Sequence, residues 1–121
     1  MAARPVTAVL KEIAFLTDSA ASLVANPATT KSYVRLIVLH NTHVAALVVD
    51  LYNVPDAAGS LGAAADANKI YSQSLNADET VFLEFAAPGL MLVDENDSIQ
   101  GLAGTTSLVT VAITGFTEST A

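Results

Sequence analysis

The 121-residue chain has no cysteine, so it forms neither disulfides nor thiolate metal sites. It also lacks tryptophan, and only 6% of its residues are aromatic, which weighs against a carbohydrate-binding platform built from stacking rings. Charged residues make up 14% of the chain and hydrophobic residues make up 52%. So low a charge content predicts that part of the folded surface is covered by a partner.

Positive charge is especially scarce. Five Lys and Arg stand against twelve Asp and Glu, and the net charge of −7 argues against sequence-independent binding of nucleic acid. Residues 1–40 carry four of the basic residues and two of the acids, whereas residues 41–121 carry one basic residue and ten acids. This asymmetry is either a chance spread of few charges or a sign that the N-terminal third docks on an acidic surface, for example on a neighbouring copy.

Hydrophobic runs long enough to cross a membrane are also missing. The most apolar segment is YVRLIVLHNTHVAALVVDLYNVP, Tyr33 to Pro55, and its stretch without a charged residue is 14 residues long. A membrane helix needs about 20 apolar residues, and the polar residues HNTH would lie at the centre of this one. We therefore expect no membrane partner.

The β-branched residues of the same segment favour strands over a helix. We predict two strands, Ser32–His40 and His43–Val54, joined by a tight turn at Asn41-Thr42. Pro55 would end the second strand because it has no N–H to donate to a ladder.

The rest of the chain alternates between short β-like runs and turn signals. Further strands are predicted at Lys69–Leu75, Thr80–Phe85, Leu90–Val93, Ser98–Ala103 and Leu108–Phe116. Turns recur roughly every ten residues, which is typical of a sandwich or barrel. The alanine-rich loop 57–67 is long enough to be mobile or to be ordered by a partner.

These patterns predict an all-β, antiparallel, jelly-roll-like β-sandwich of roughly eight strands with an N-terminal arm. The chain would form one domain, with residues 1–30 as the arm or first strands and residues 31–121 as the sandwich core. Near the N-terminus, the apolar residues fit either helical spacing or an edge strand, and we favour a strand or an extended arm.

The sequence offers little chemistry, so we predict that the protein is not an enzyme and has no cofactor. It has no Gly-x-Ser-x-Gly nucleophile motif and no glycine-rich phosphate loop. His40 and His43 would flank the predicted turn, but zinc sites use three or four ligands and no third ligand is near. The acidic run Asp94 to Asp97 lacks the ligand spacing of a helix-loop-helix calcium site. A solvated turn is favoured there, with an oxygen-only site closed by a neighbouring chain as the alternative.

Several segments together resemble a known group of proteins. They are YVRLIVLHNT, HVAALVVDLYNVP, NKIYSQSLNADETVFLEF, LVDENDSIQGLA and VTVAITGFTE. Over about residues 30–118 the chain is similar to small β-sandwich virion proteins of tailed bacteriophages, of the head decoration or cement type. The resemblance implies a homotrimer that binds the major capsid protein on the outer surface of the capsid and stabilises the head.

In this interpretation the basic residues would contact the capsid or a neighbouring subunit, and an acidic turn would face outward. The candidate contact residues are Arg4, Lys11, Lys31 and Arg35, and the candidate outward turn contains Asp94, Glu95 and Asp97. A tail, neck or fibre module that binds a virion partner or a receptor is the alternative. A small ligand-binding or enzymatic sandwich ranks last, because it would need a cluster of His and carboxylates in its interior.

Overall fold

The computed structural model of the chain describes residues 6–120, which form nine β-strands and one short 3₁₀ helix, Asp66–Asn68. The strands are β1 Val6–Phe15, β2 Ala21–Ala25, β3 Thr30–Asn41, β4 Leu47–Val54, β5 Lys69–Leu75, β6 Thr80–Glu84, β7 Leu90–Leu92, β8 Ser98–Ala103 and β9 Val109–Ser119. Within this part of the chain, no helix has the length and apolarity that a membrane crossing requires.

The strands form two antiparallel sheets. Sheet A has the order β1-β9-β3-β6, with β7 also paired to β3, and sheet B has the order β2-β8-β4-β5. β6 pairs with residues 36–40 of β3 and β7 pairs with residues 32–34. Both short strands run antiparallel to β3 and therefore in the same direction as each other. The two short strands therefore act as one interrupted strand at the edge of sheet A.

The pairing order identifies the topology. With β6 and β7 counted together, the first strand pairs with the last, the second with the second-last, the third with the sixth and the fourth with the fifth. Such nested pairs arise when one long antiparallel hairpin is rolled into two sheets, which is the jelly roll. The predicted fold class is confirmed.

The N-terminal strand is paired along its whole length. β1 runs antiparallel to β9 from the Val6–Thr117 pair to the Phe15–Thr110 pair, with two register shifts that mark bulges. Of the predicted arm or first strands at residues 1–30, the described part contains β1 and β2. Leu16, directly after β1, and Val24, in β2, are buried in the core.

The predicted hairpin between β3 and β4 is wrong. β3 lies in sheet A and β4 lies in sheet B, and residues 42–46 cross from one sheet to the other. The buried Asn41 side chain organises this crossing. Its Nδ2 donates to the carbonyls of Ala45 and Leu75, both at 3.0 Å, and its Oδ1 accepts the His43 N–H at 2.9 Å. These hydrogen bonds replace those of a tight turn.

The core lies between the inner faces of the two sheets. Its fully buried side chains include Ile37, Leu39, Leu51, Leu75, Ile99 and Ile113. The loop after β4 lies against sheet B, where Gln100 Nε2 donates to the carbonyl of Gly62 at 2.8 Å. The chain's own side chains thus hold part of the alanine-rich loop.

Candidate interaction surface

The outer face of sheet B carries several partnered polar groups beside two exposed apolar side chains, Val48 and Ile70. Directly paired residues of an antiparallel sheet project to the same face, which places Asp50 beside Ser72 here. Ser72 Oγ donates to Asp50 Oδ1 at 2.5 Å, and Gln100 reaches the covering loop. This face has the character of an ordinary wet sheet surface.

The outer face of sheet A carries large exposed apolar side chains on its edge strands, beside threonines on the central strand β9. Val9 is paired with Thr114, Phe15 with Thr110, Phe82 with Val38 and Met91 with Tyr33, while their neighbours Ile37, Leu39, Val111 and Ile113 point into the core. Ile13 faces outward with Phe15, because Ala14 between them pairs with the core residue Val111. We call the exposed side chains of Val9, Ile13, Phe15, Phe82 and Met91 the apolar face.

The side chains of the apolar face lie on the two edges of sheet A, three on β1 at one edge and two on β6 and β7 at the other. The five side chains are between 41% exposed (Met91) and 73% exposed (Ile13). Soluble monomers rarely expose large contiguous apolar patches, and such patches mark sites of interaction. Covering the exposed parts would contribute on the order of 5 kcal/mol. The loss of translational and rotational freedom on binding costs about 4–15 kcal/mol, so this apolar burial alone would not hold a partner.

Arg35 is a basic residue that lines cavities in this face. The register between β3 and β9 shifts between the Val34–Gly115 and Leu36–Thr114 pairs, so Arg35 is the extra residue of a bulge. Bulges re-aim side chains. The side chain is anchored, since Arg35 Nε donates to the Phe85 carbonyl and the Phe85 N–H donates to the Arg35 carbonyl, both at 3.0 Å.

The bulge depends on Gly115. A Cβ at this position would collide with the backbone carbonyl of Tyr33. Phe116, the next residue, places its ring beside the arginine, with the guanidinium carbon 5.9 Å from the ring centre. These two neighbouring residues thus have different roles. Gly115 allows the close approach of β9 and β3, and Phe116 forms a wall beside the cation.

Three open cavities meet at Arg35. One, of about 330 Å³, is lined by Tyr33, Arg35, Pro88 and Phe116. A second, of about 450 Å³, is lined by Arg35, Leu36, Glu84, Phe85 and Ala86, and a third lies toward β1 beside Thr7. Within residues 6–120, no carboxylate oxygen lies within 4.0 Å of the guanidinium nitrogens. A planar cation with apolar walls is suited to bind a carboxylate.

The other predicted basic contacts lie elsewhere on sheet A. Lys11 is in the middle of β1, opposite Ile113, and Lys31 is at the start of β3, opposite Glu118. Arg4 is outside the described residues. The structure therefore distributes the three described candidates, Lys11, Lys31 and Arg35, over β1 and β3, and no charge pattern in the sequence distinguishes Arg35 from the other two.

The acidic turn connects β7 to β8, with Asp94 and Glu95 exposed. Asp97 closes this turn: its carboxylate accepts the backbone N–H groups of Asp56 at 2.9 Å, Asp94 at 3.0 Å and Val93 at 3.2 Å. Burial favours a higher pKa for Asp97, but these donors outweigh it, and the pKa lies below its ordinary value.

Asp56, which was not singled out in the sequence, joins the turn from 38 residues upstream of Asp94. One carboxylate oxygen each from Asp56, Asp94 and Asp97 lie within 4.8 Å of one another. The hydrogen bonds of Asp97 account for this proximity as part of the packing of two loops. Lys31 lies at the same end of the sandwich as the acidic turn, because its neighbour Ser32 pairs with Leu92.

The two histidines do not face each other across a strand pair, since the predicted hairpin does not form. His40 Nδ1 lies 2.7 Å from Thr80 Oγ1 on β6, and His40 Nε2 lies 3.9 Å from Asp78 Oδ1. His43 belongs to the crossing between the sheets. In the described part of the chain, the group of three potential metal ligands contains no histidine.

Comparison of the chain with protein-family models, with curated proteins and with solved structures finds no match.

Proposed function

We propose that this protein is a structural subunit that acts by association, as a decoration protein on the head of a tailed bacteriophage. The observation that carries the proposal is the apolar face, five large apolar side chains that are 41–73% exposed on the edge strands of sheet A, where sheet B has two, Val48 and Ile70. Such a surface is suited to permanent contacts between proteins.

Two further points support the placement on a virion. The chain resembles small sandwich proteins of phage heads over about residues 30–118. Its topology is the jelly roll, an architecture found in viral capsid domains and also in proteins of other kinds. The fold agrees with the resemblance, and the apolar face supplies the argument for association.

The proposed mechanism has two stages. Copies of the chain first cover part of one another's apolar surface, and the resemblance makes a homotrimer the expected product. The oligomer then bridges neighbouring capsid subunits on the outside of the head. Each contact is weak, but several contacts made by one rigid body reinforce one another, because after the first the others are effectively intramolecular.

A double substitution on the apolar face tests the proposal. Ile13 and Phe82 lie on opposite edge strands of sheet A and are 73% and 63% exposed. Ile13→Ser with Phe82→Ser should therefore leave the monomer folded while weakening association. Val44→Ser is the matched control, because Val44 is 89% exposed but lies in the crossing between the sheets, outside the apolar face.

Two measurements read out the test: the mass of the particle in solution by light scattering, and the occupancy on undecorated heads of the virus that carries the protein. We expect the double variant to lose mass and occupancy and the control to keep both. Unchanged occupancy and mass in a folded double variant would contradict the proposal.

A further inference from the structure

Two opposite charges lie side by side on the outer side of sheet A without pairing. Arg35 belongs to β3, and Glu84 on β6 is directly paired with Leu36, the next residue along β3. Both line the same cavity of about 450 Å³. Among the described residues, Glu84 forms no ion pair within 4.0 Å, and its side chain is exposed.

The local geometry accounts for their separation. The guanidinium of Arg35 lies over the ring of Phe116 on β9, whereas Glu84 lies on the other side of β3, on β6. The bond from Arg35 Nε to the Phe85 carbonyl further fixes the side chain. Arg35 thus also lines the open cavity formed with Tyr33, Pro88 and Phe116, whereas Glu84 lines the adjacent cavity between β3 and β6.

We propose that the cavity of about 330 Å³ lined by Arg35, Tyr33, Pro88 and Phe116 receives the Glu84 carboxylate of a second copy of this chain. The inference rests on the proposed function, since it specifies how the copies associate. It is argued from charge complementarity: a surface with an unpaired cation next to an unpaired anion is complementary to itself. A closed symmetric oligomer repeats one contact at every interface, so each Arg35 meets a Glu84 and each Glu84 meets an Arg35.

The chemistry of the cavity suits this occupant. A guanidinium binds a carboxylate through two parallel N–H···O hydrogen bonds. The apolar walls from Tyr33, Pro88 and Phe116 exclude water once the face is covered, and this strengthens the attraction between the charges.

Another acid of sheet A is already engaged. The Glu118 carboxylate accepts a hydrogen bond from the Tyr33 hydroxyl at 3.3 Å. Burial and this carboxylate together raise the pKa of Tyr33. Glu84 has no comparable partner in the described part of the chain and is available to a second copy.

A charge-reversal cycle tests the pairing. The variants are Glu84→Arg, Arg35→Glu and the double variant that carries both, each measured for self-association by sedimentation equilibrium. Either single change places like charges together at every contact, and we expect self-association weaker by about 30-fold or more. The double variant exchanges the two charges and should recover most of the wild-type affinity.

The controls separate pairing from folding. Glu95→Arg makes the same charge change on the exposed turn between β7 and β8 and should leave the mass unchanged. Thermal melting of each variant checks that Arg35→Glu, which loses the bond to Phe85, still folds. If Arg35→Glu does not fold, the association of the Glu84→Arg variant alone decides the test.

Three results would overturn the inference. The first is a Glu84→Arg protein that associates like the wild type, and the second is weakened single variants that the double variant fails to rescue. The third is a wild-type protein that stays monomeric at every concentration. In that case, occupancy on undecorated heads still decides the proposed function: a monomer that binds them through the apolar face retains the function and assigns that face to the capsid protein.

Discussion

Asn41 is predicted to be one of the most sensitive polar positions in the protein. Its side chain is fully buried and forms four hydrogen bonds where the chain crosses between the sheets. The two Nδ2 hydrogens are shared among the carbonyls of Ala45, Leu75 and Asn76, at 3.0, 3.0 and 3.2 Å, and Oδ1 accepts the N–H of His43 at 2.9 Å. The end of β5 in sheet B is thereby tied to β3 in sheet A.

The expected cost of Asn41→Ala follows from these contacts. The Leu75 carbonyl is buried and loses a partner that water cannot replace, at about 1–3 kcal/mol. The other three groups lie nearer to solvent and lose about 0.5 kcal/mol each. The total loss in the free energy of unfolding is about 3 kcal/mol, which corresponds to a fall of roughly 10 °C in Tm for a domain of this size.

The variant Asn41→Asp tests whether the Nδ2 hydrogen bonds, and not only the volume of the side chain, stabilise the crossing between the sheets. The aspartate keeps an acceptor for the His43 N–H but loses both Nδ2 hydrogens and turns a buried carboxylate toward three carbonyls. We expect it to destabilise the protein at least as much as alanine at neutral pH. The control is Asn68→Ala, because the Asn68 side chain makes one long bond of 3.5 Å to the Ala63 carbonyl.

Urea denaturation of the three variants at one protein concentration provides the measurement. A loss below about 1 kcal/mol for Asn41→Ala, or an Asn41→Asp protein as stable as the wild type, would refute the role assigned to the side chain.

Two further predictions concern the acidic turn and the β3 bulge. Because the pKa of Asp97 is below its ordinary value of 3.8 in the folded protein, its carboxylate stabilises the fold above that value, and this contribution is lost as the pH falls through the folded-state pKa. The deficit of Asp97→Asn in urea melts should shrink as the pH is lowered toward 3, and a deficit independent of pH would contradict this. Gly115→Ala should destabilise the protein by about 1–3 kcal/mol, because its Cβ meets the Tyr33 carbonyl. Gly104→Ala, whose Cβ would lie 3.7 Å from its nearest neighbour, should change stability by less than about 0.5 kcal/mol, and equal effects of the two would contradict the bulge geometry.

Strand positions follow from local signals and were largely predictable. The predicted bounds Lys69–Leu75 and Ser98–Ala103 are those of β5 and β8, because period-two alternation ends there at clear turn residues. Partner choice depends on contacts distant in sequence. β3 and β4 are both central, buried strands, and their shared apolarity suggested a hairpin although each pairs within a different sheet.

The sequence did not show which side chains of sheet A are exposed. Low charge content indicated a covered surface, but alternation does not reveal which side of a strand faces the core. In β6, Val81 and Leu83 pack against the core while the equally apolar Phe82 is exposed. Arg35 was singled out by charge, whereas its cavity arises from Phe85 and Phe116, far along the chain.

The mass of the purified protein in solution, by light scattering coupled to size exclusion, tests association most directly. We predict an oligomer, with a trimer of about three times the chain mass of 12.5 kDa as the expected form. A particle of 12.5 kDa that neither grows with concentration nor binds undecorated heads would contradict a function based on the apolar face.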